Sequence, residues 1–348
     1  MASALPSIAP LHTDDFQSGY FSLVERLLSA PVLLNAPRGK RSRELVCVDL
    51  VLSDPRNRLI AHPARRANLA FQFGELLWYL SGSNELPMLE YYAPSVRSYS
   101  ADGQTLSGTA YGPRIFGSAG AGQWAAVRDL LRQDPDTKRA VISIFDASEL
   151  LDGRNPDVAC TLALHFMCRE RKLHCFVIMR ANDAYRGIVS DVFSFTMLHE
   201  LMAVELDLQL GVYFHRVDSL HLYETDLVRA EGASRGWREN GRSAAQPMPP
   251  MPGVPMKSWL PAVLAMEAEM RLAGHGIAAS QIEGSGLPEY WRQVVAVLSQ
   301  FSDLKAGRPV RPDILPLIPE SWQAMIDARF PTRSADAIEA SRGTADAF

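Results

Sequence analysis

The sequence predicts a mixed α/β (α+β) protein, and three observations predict it. The apolar run Leu173–Met179 has the length and content of a buried strand. Past a turn around Gly187 it gives way to Val192, Phe195, Leu198, Met202 and Leu206, which recur at the helical period. Alternation over Leu45–Leu52 likewise leads into a helical pattern over Ala67–Leu80. With 348 residues, 47% hydrophobic and 21% charged, the chain can bury a large core as one or two domains.

Bulk properties exclude several classes. No apolar run approaches the ~20 residues needed to cross a membrane, and residues 1–18 lack a signal peptide's basic start and apolar centre. A formal charge of -4 gives no overall pull toward nucleic acid. Cys47, Cys160, Cys168 and Cys175 show no C-x-x-C spacing, so neither a metal site nor a disulfide framework is expected. Free thiols in a reducing cytoplasm are the simplest reading.

In order, an opening helix is expected over residues 19–29, then a loop dense in cations from Asn35 to Arg43. Glu75 lies in the helix that follows, amid Phe73, Leu76, Leu77 and Trp78. It reads either as an edge residue or, if it faces inward, as an acid of raised pKa fit to handle protons. Lys138-Arg139 precedes a strand over Ala140–Phe145. Cys160 follows the loop Asp152–Asp157 and opens a strand over Leu162–Met167; a lone cysteine is as readily a small buried apolar residue as a nucleophile. Cys47, Cys168 and Cys175 fall in strand patterns and read as structural.

Arg180, Asn182 and Asp183 stand at the exit of the strand ending at Met179, and Asp191 at the mouth of the next helix. An ordinary N-cap explains Asp191 as well as any binding role does. His221 and Tyr223, two apart on a strand, share a face. Residues 232–260 shift to Pro, Gly, Ser and Met and read as a connecting loop. Helical patterns return over Pro261–Gly274, over Leu287–Ala306 and briefly before Pro331; residues 332–348 read as a flexible tail.

Six motifs resemble the thymidylate synthase superfamily in order and spacing. They are Phe73–Gly82, Ala110-Tyr111-Gly112, Lys138-Arg139, Val158–Thr161, Met179–Phe195 and Asp218–Tyr223. The resemblance implies a large mixed β-sheet packed against helices and forming a dimer interface. It covers a catalytic core (19–231); composition and periodicity then give the connecting loop (232–260), a helical extension expected to pack on the core (261–331) and the tail (332–348). The resemblance makes Cys160 the nucleophile, near cations that favour the thiolate, with Glu75, Tyr111 and Asp191 as further catalytic groups. Arg38, Arg180, Ala181, Asn182, Asp191, His221 and Tyr223 become nucleotide-binding positions, with Arg41 and Arg43 close enough to compete for the role of Arg38. Lys138 and Arg139 are implied to cross a homodimer interface to the partner's phosphate. Glu75 and Asp183 are implied to meet the co-substrate, 5,10-methylenetetrahydrofolate, and no metal is implied.

Departures from the synthases point to the cytidylate hydroxymethylases, including the CMP hydroxymethylases of mildiomycin-type nucleoside antibiotic biosynthesis. Asp191 replaces an asparagine that reads uracil, and Val96–Ser100 replaces a tryptophan-rich stretch. One extra residue, Leu220, lies before His221, and Ala159-Cys160-Thr161 stands in place of Pro-Cys-His. Ala181 and Lys138 in place of serine and arginine favour CMP over dCMP. The implied reaction is hydroxymethylation at cytosine C5 through a Cys adduct at C6. A true thymidylate synthase is disfavoured by Asp191. A catalytically silent nucleotide-binding dimer is disfavoured because Cys160 and Glu75 are retained.

Overall fold

A computed structural model describes residues 9–117, 122–151 and 153–331. The chain runs β1 (Leu11–Thr13), α1 (Phe16–Ser29), β2 (Leu33–Asn35), β3 (Ser42–Leu52), α2 (Leu69–Leu80), α3 (Leu86–Tyr92), α4 (Tyr111–Phe116) and α5 (Gln123–Gln133). It continues through β4 (Val141–Ser143), β5 (Thr161–Arg169), β6 (Lys172–Met179), β7 (Asn182–Asp183), α6 (Ile188–Glu205), β8 (Gln209–Tyr223) and α7 (Leu227–Glu239). The helices α8 (Leu260–Ala273), α9 (Ala279–Glu283), α10 (Glu289–Lys305) and α11 (Glu320–Arg329) complete it.

The strands form one mixed sheet in the order β1-β3-β8-β6-β5-β4, with β2 against β3 and β7 against β8. β8 is its centre, antiparallel to β3 and parallel to β6 and β7. On one face lies α6, which is buried nearly all round because α2 covers its other side. α10 packs on α2 in turn, and Trp322 of α11 meets Phe73 of α2 with ring centroids 5.2 Å apart. α2 is thus sealed by the C-terminal helices. Among the described residues no helix covers the opposite sheet face around β5, β6 and β8. Phe176 and Phe214 stack there at 4.3 Å, beside the exposed side chains of Val141 and Ile178.

Two elements differ from the pattern reading. The connecting loop begins later than its composition suggests, because α7 runs on to Glu239. There Trp237 stacks on Phe21 with centroids 4.6 Å apart, and this packing holds a helix that Gly and Ser alone disfavour. Cys168 and Cys175 are buried, but Cys47 is exposed. It sits at φ +53°, and the β3–β8 register runs unbroken past it, from Val46–Ser219 to Val48–Val217, so this left-handed residue leaves the side chain exposed without shifting the strand. The tail 332–348 and Asp152 lie outside the described residues.

Candidate active site

The cysteine loop is fixed from three sides. Arg180 donates through Nε to the Ala159 carbonyl (2.8 Å) and through Nη2 to that of Val158 (2.9 Å), and lies 3.7 Å from Cys160 Sγ. Glu149, ion-paired to Arg114, accepts the Ala159 N–H at 2.8 Å. Asp157 accepts the N–H groups of Gly108 (2.9 Å) and Thr109 (3.0 Å), which ties the approach to Tyr111 onto the same loop. Gly108 has to be glycine, since a Cβ there would lie 2.2 Å from the Asp157 carbonyl oxygen. Cys160 is half-buried just before β5.

The expected depressed thiol is not what this chain alone produces. Burial raises the Cys160 thiol, Arg180 and Arg38 oppose that rise, and Asp191 and Asp157 reinforce it. Desolvation disfavours the thiolate more than two nearby guanidinium groups favour it.

Two carboxyls, Glu75 buried on α2 and Asp191 half-buried on α6, repel each other across the α2–α6 packing. Burial pushes Glu75 up to about 8, Asp191 adds repulsion, and the Ser194 hydroxyl, donating at 3.2 Å, opposes both. Burial likewise pushes Asp191 up to about 7, with Asp183 repelling it and the Asn182 amide hydrogen-bonding to it. Asp191 is not a helix cap. Gly187 holds that position, and Asp191 lies one turn in, where its side chain is free for other work. Tyr111, stacked between Tyr79 and Phe195, is held far above its usual range by burial and then by Asp191 and Cys160. It stays a neutral O–H donor.

Of the three loop cations, Arg41 pairs with Glu224 and Arg43 donates to the Leu28 carbonyl. Arg38 instead reaches over to the Pro156 carbonyl at 3.5 Å, and its charge is felt at Cys160. His221 and Tyr223 lie half-buried on one face of β8 with rings 4.8 Å apart. Asp183 accepts the N–H groups of Tyr185 (2.8 Å) and Arg186 (2.9 Å) in the turn leading to α6. Ala181 is half-buried beside it. Asn182 is buried, and its amide nitrogen is taken by His215 and Met179 rather than open to a ligand. Lys138 and Arg139 are exposed ahead of the edge strand β4.

Sequence reasoning missed four features. Tyr99 lies within electrostatic reach of Asp183, Arg186, Tyr223 and Arg38, in the segment that replaces the tryptophan-rich stretch; that replacement was its only signal. Ser194, three residues past Asp191 on α6, reaches Glu75. Behind Asn182 stand His215 and Tyr213 of β8. A cavity of about 160 Å³ opens beside the first turns of α2 and α6, lined among others by Arg65, Arg66, Gln72, Arg186 and Arg329. Gln72 Oε1 is buried there without a partner among the described residues, and burial with repulsion from Arg66 and Arg65 lowers the Arg329 pKa.

With Cys160, Glu75, Tyr111 and Asp191 gathered on a mixed sheet in this way, the fold and site define a class. The thymidylate synthase family model matches residues 20–236, and the chain belongs to that family. It is similar to the deoxyuridylate hydroxymethyltransferase of Delftia phage PhiW-14, with 32% identity over 209 residues, covering 55% of this chain and 57% of that protein. The enzyme of that name from Bacillus phage SP01 is 32% identical over 205 residues, covering 55% of this chain and 53% of its own. That from Pseudomonas phage M6 is 31% identical over 182 residues, with 52% of each chain covered. The chain thus spans a little over half the length of these relatives.

Proposed function

We propose that the protein is a pyrimidine nucleotide 5-hydroxymethyltransferase acting on CMP. The observation that carries the reading is the pair of mutually repelling acids, Glu75 and Asp191, of which Asp191 lies within electrostatic reach of both Cys160 and Tyr111. A pyrimidine C5 is a poor nucleophile. The Cys160 thiolate adding at C6 forms an S–C6 bond and moves electron density to C5. Bound 5,10-methylenetetrahydrofolate supplies a one-carbon unit that no side chain can provide. C5 bonds to that carbon, and Glu75 in its carboxylate form takes the C5 proton. The carbon–nitrogen bond then breaks with tetrahydrofolate as the leaving group, and water oriented by Glu75 adds to the exocyclic methylene left behind. Expulsion of Cys160 from C6 restores the ring.

The arginine-lined cavity fits the folate. Its crowded guanidinium groups gain from an anionic tail, and the unpaired Gln72 Oε1 accepts an N–H. Arg38 and Arg180 would hold the nucleotide phosphate; His221 and Tyr223 would hold the sugar, and Asp183 and Tyr99 line the way to the folate. The uncovered apolar sheet face supports a homodimer. In it Lys138 and Arg139 would reach the partner's phosphate. Mixing inactive Cys160→Ala and inactive Arg139→Ala chains should then restore activity, and none in verified heterodimers removes the shared site.

Asp191 favours cytosine, whose N4 amino group donates to a carboxyl oxygen, and Ala181 with Lys138 favours a ribonucleotide. The second reading is hydroxymethylation of dUMP, as the names of the phage relatives state for those proteins. A protonated Asp191 can also donate to uracil O4, so its raised pKa keeps that reading in play. Incubating CMP, dCMP, UMP and dUMP separately with methylenetetrahydrofolate and weighing the products decides. Hydroxymethyl-CMP as the main product is the expected result, and hydroxymethyl-dUMP or a methylated product overturns it.

A further inference from the structure

A carboxylic acid at position 191 is ambivalent by itself. It reads cytosine when the proton sits on the oxygen beside N3 and the other oxygen accepts from N4. It reads uracil when the proton sits on the oxygen beside O4 and the other accepts from N3–H. The base preference therefore depends on which of the two oxygens carries the proton. That choice is made by whatever hydrogen-bonds to the carboxyl from behind.

Behind it lies a polar chain in an otherwise apolar layer. Tyr213 Oη is 2.8 Å from His215 Nδ1, and His215 Nε2 is 3.1 Å from Asn182 Nδ2. All three side chains are within 3% of full burial. The Asn182 amide in turn bonds to Asp191. Gly187 is what lets them meet: a Cβ there would lie 2.5 Å from Asn182 Oδ1 and 3.3 Å from Asp191 Oδ2. A sheet core gains nothing from Tyr, His and Asn unless every polar atom finds a partner.

The chain is satisfied in two polarities. With Asn182 Nδ2 donating to His215 Nε2, the ring carries its proton on Nδ1 and donates to Tyr213, while Asn182 Oδ1 accepts from a protonated Asp191. With the amide turned over, Tyr213 donates to Nδ1 and Nε2–H donates to Asn182 Oδ1. Asn182 Nδ2 then donates to one oxygen of Asp191, which leaves any proton on the other. His215 stays neutral throughout, since burial holds it down at about 3.

We propose that Asn182, His215 and Tyr213 are positioning residues whose hydrogen-bond relay fixes which Asp191 oxygen carries the proton and so sets the base preference. This rests on the reading that Asp191 faces the base. The ratio of kcat/KM for cytidine over uridine nucleotides, in the sugar series the enzyme accepts, tests it. His215→Phe removes both ring nitrogens and should move the ratio toward uridine by about tenfold, the penalty for one mis-satisfied buried group. His215→Gln, with an amide where Nε2 lies, should restore most of it. Tyr213→Phe should move it by about threefold and carries the test if His215→Phe does not fold. A merely structural role lowers both efficiencies together and leaves the ratio unchanged, which overturns the relay. Asp191→Asn separates the two ideas. If it shifts the ratio while His215→Phe does not, the relay falls and the Asp191 reading stands; if it shifts nothing, both fall.

Discussion

Helix α6 carries two acids that turn into the protein, and they have opposite surroundings. Asp191, half-buried in its first turn, has no cation against it among the described residues, and two further carboxyls, Glu75 and Asp183, repel it. Glu200, near its C-terminal end, is gripped by Arg58 and Arg56 and accepts the Met251 N–H at 3.0 Å. Glu200 is therefore lowered, with Arg58 the largest favourable influence against burial, whereas Asp191 is raised. Glu200 is the more deeply buried of the two, so burial alone would raise it at least as much as Asp191, and the difference lies in the partners. A carboxylate with two guanidinium groups and a backbone donor is a joint, here between α6 and the segment leading to α8. A buried carboxyl without a counter-ion costs stability and is kept where its proton is useful.

The contrast says that changes at the two ends should separate turnover from folding. The largest effect should come from Cys160→Ala, which lowers turnover at least about a thousandfold, the scale of losing a covalent nucleophile. Its melting temperature should stay close to that of the wild type, because the loop is held by Arg180, Glu149 and Asp157 rather than by the thiol. Residual turnover within about tenfold would remove Cys160 from the chemistry. Next, Glu200→Ala should cost about 3–5 kcal/mol in denaturant unfolding, since it strands the fully buried Arg58. A loss below about 1 kcal/mol would mean that Glu200 is no joint and that the two ends are alike.

The parts of this contrast were unequally legible in the sequence. The strand before Gly187 and the helix after it follow from period alone, and Glu75 stands out as an acid in an apolar helix. Glu200 gives no such sign, because its partners lie some 140 positions earlier and only the fold brings them together. The same holds for His215, on which the sequence pattern is silent, and for Asn182, which reads as a nucleotide contact until the fold sets the two side chains side by side. Cys47 misled because a residue of left-handed φ interrupts the strand there, and an apolar strand pattern does not show which positions the fold leaves uncovered. The thiol of Cys160 misled because burial, which a sequence does not display, outweighs nearby charge.

The smallest effect sharpens the comparison most. An acid whose folded pKa lies above its unfolded value contributes stability that is complete below the unfolded value and lost as pH rises through the folded one. For Glu75 that window runs from its ordinary 4.5 to about 8. Wild-type stability should decline across it, because the unfolded chain releases a proton that the folded chain retains. Glu75→Gln fills the same space, can still meet Ser194, and has no proton to lose. The variant should therefore match the wild type near pH 4.5 and exceed it by about 1–3 kcal/mol at pH 9, with the shared repulsion from Asp191 setting where in that range it falls. At the other end Glu200, lowered rather than raised, makes the opposite demand. Its contribution is present above its ordinary value and disappears on acidification, so Glu200→Gln should lose its disadvantage at low pH. Urea unfolding of Glu75→Gln from pH 4.5 upward, and of Glu200→Gln on acidification below pH 4.5, would show each variant gaining on the wild type in opposite pH directions. Parallel curves would mean that the two acids of α6 share one environment, and the assignment of Asp191 and Glu75 to proton handling would lose its electrostatic basis.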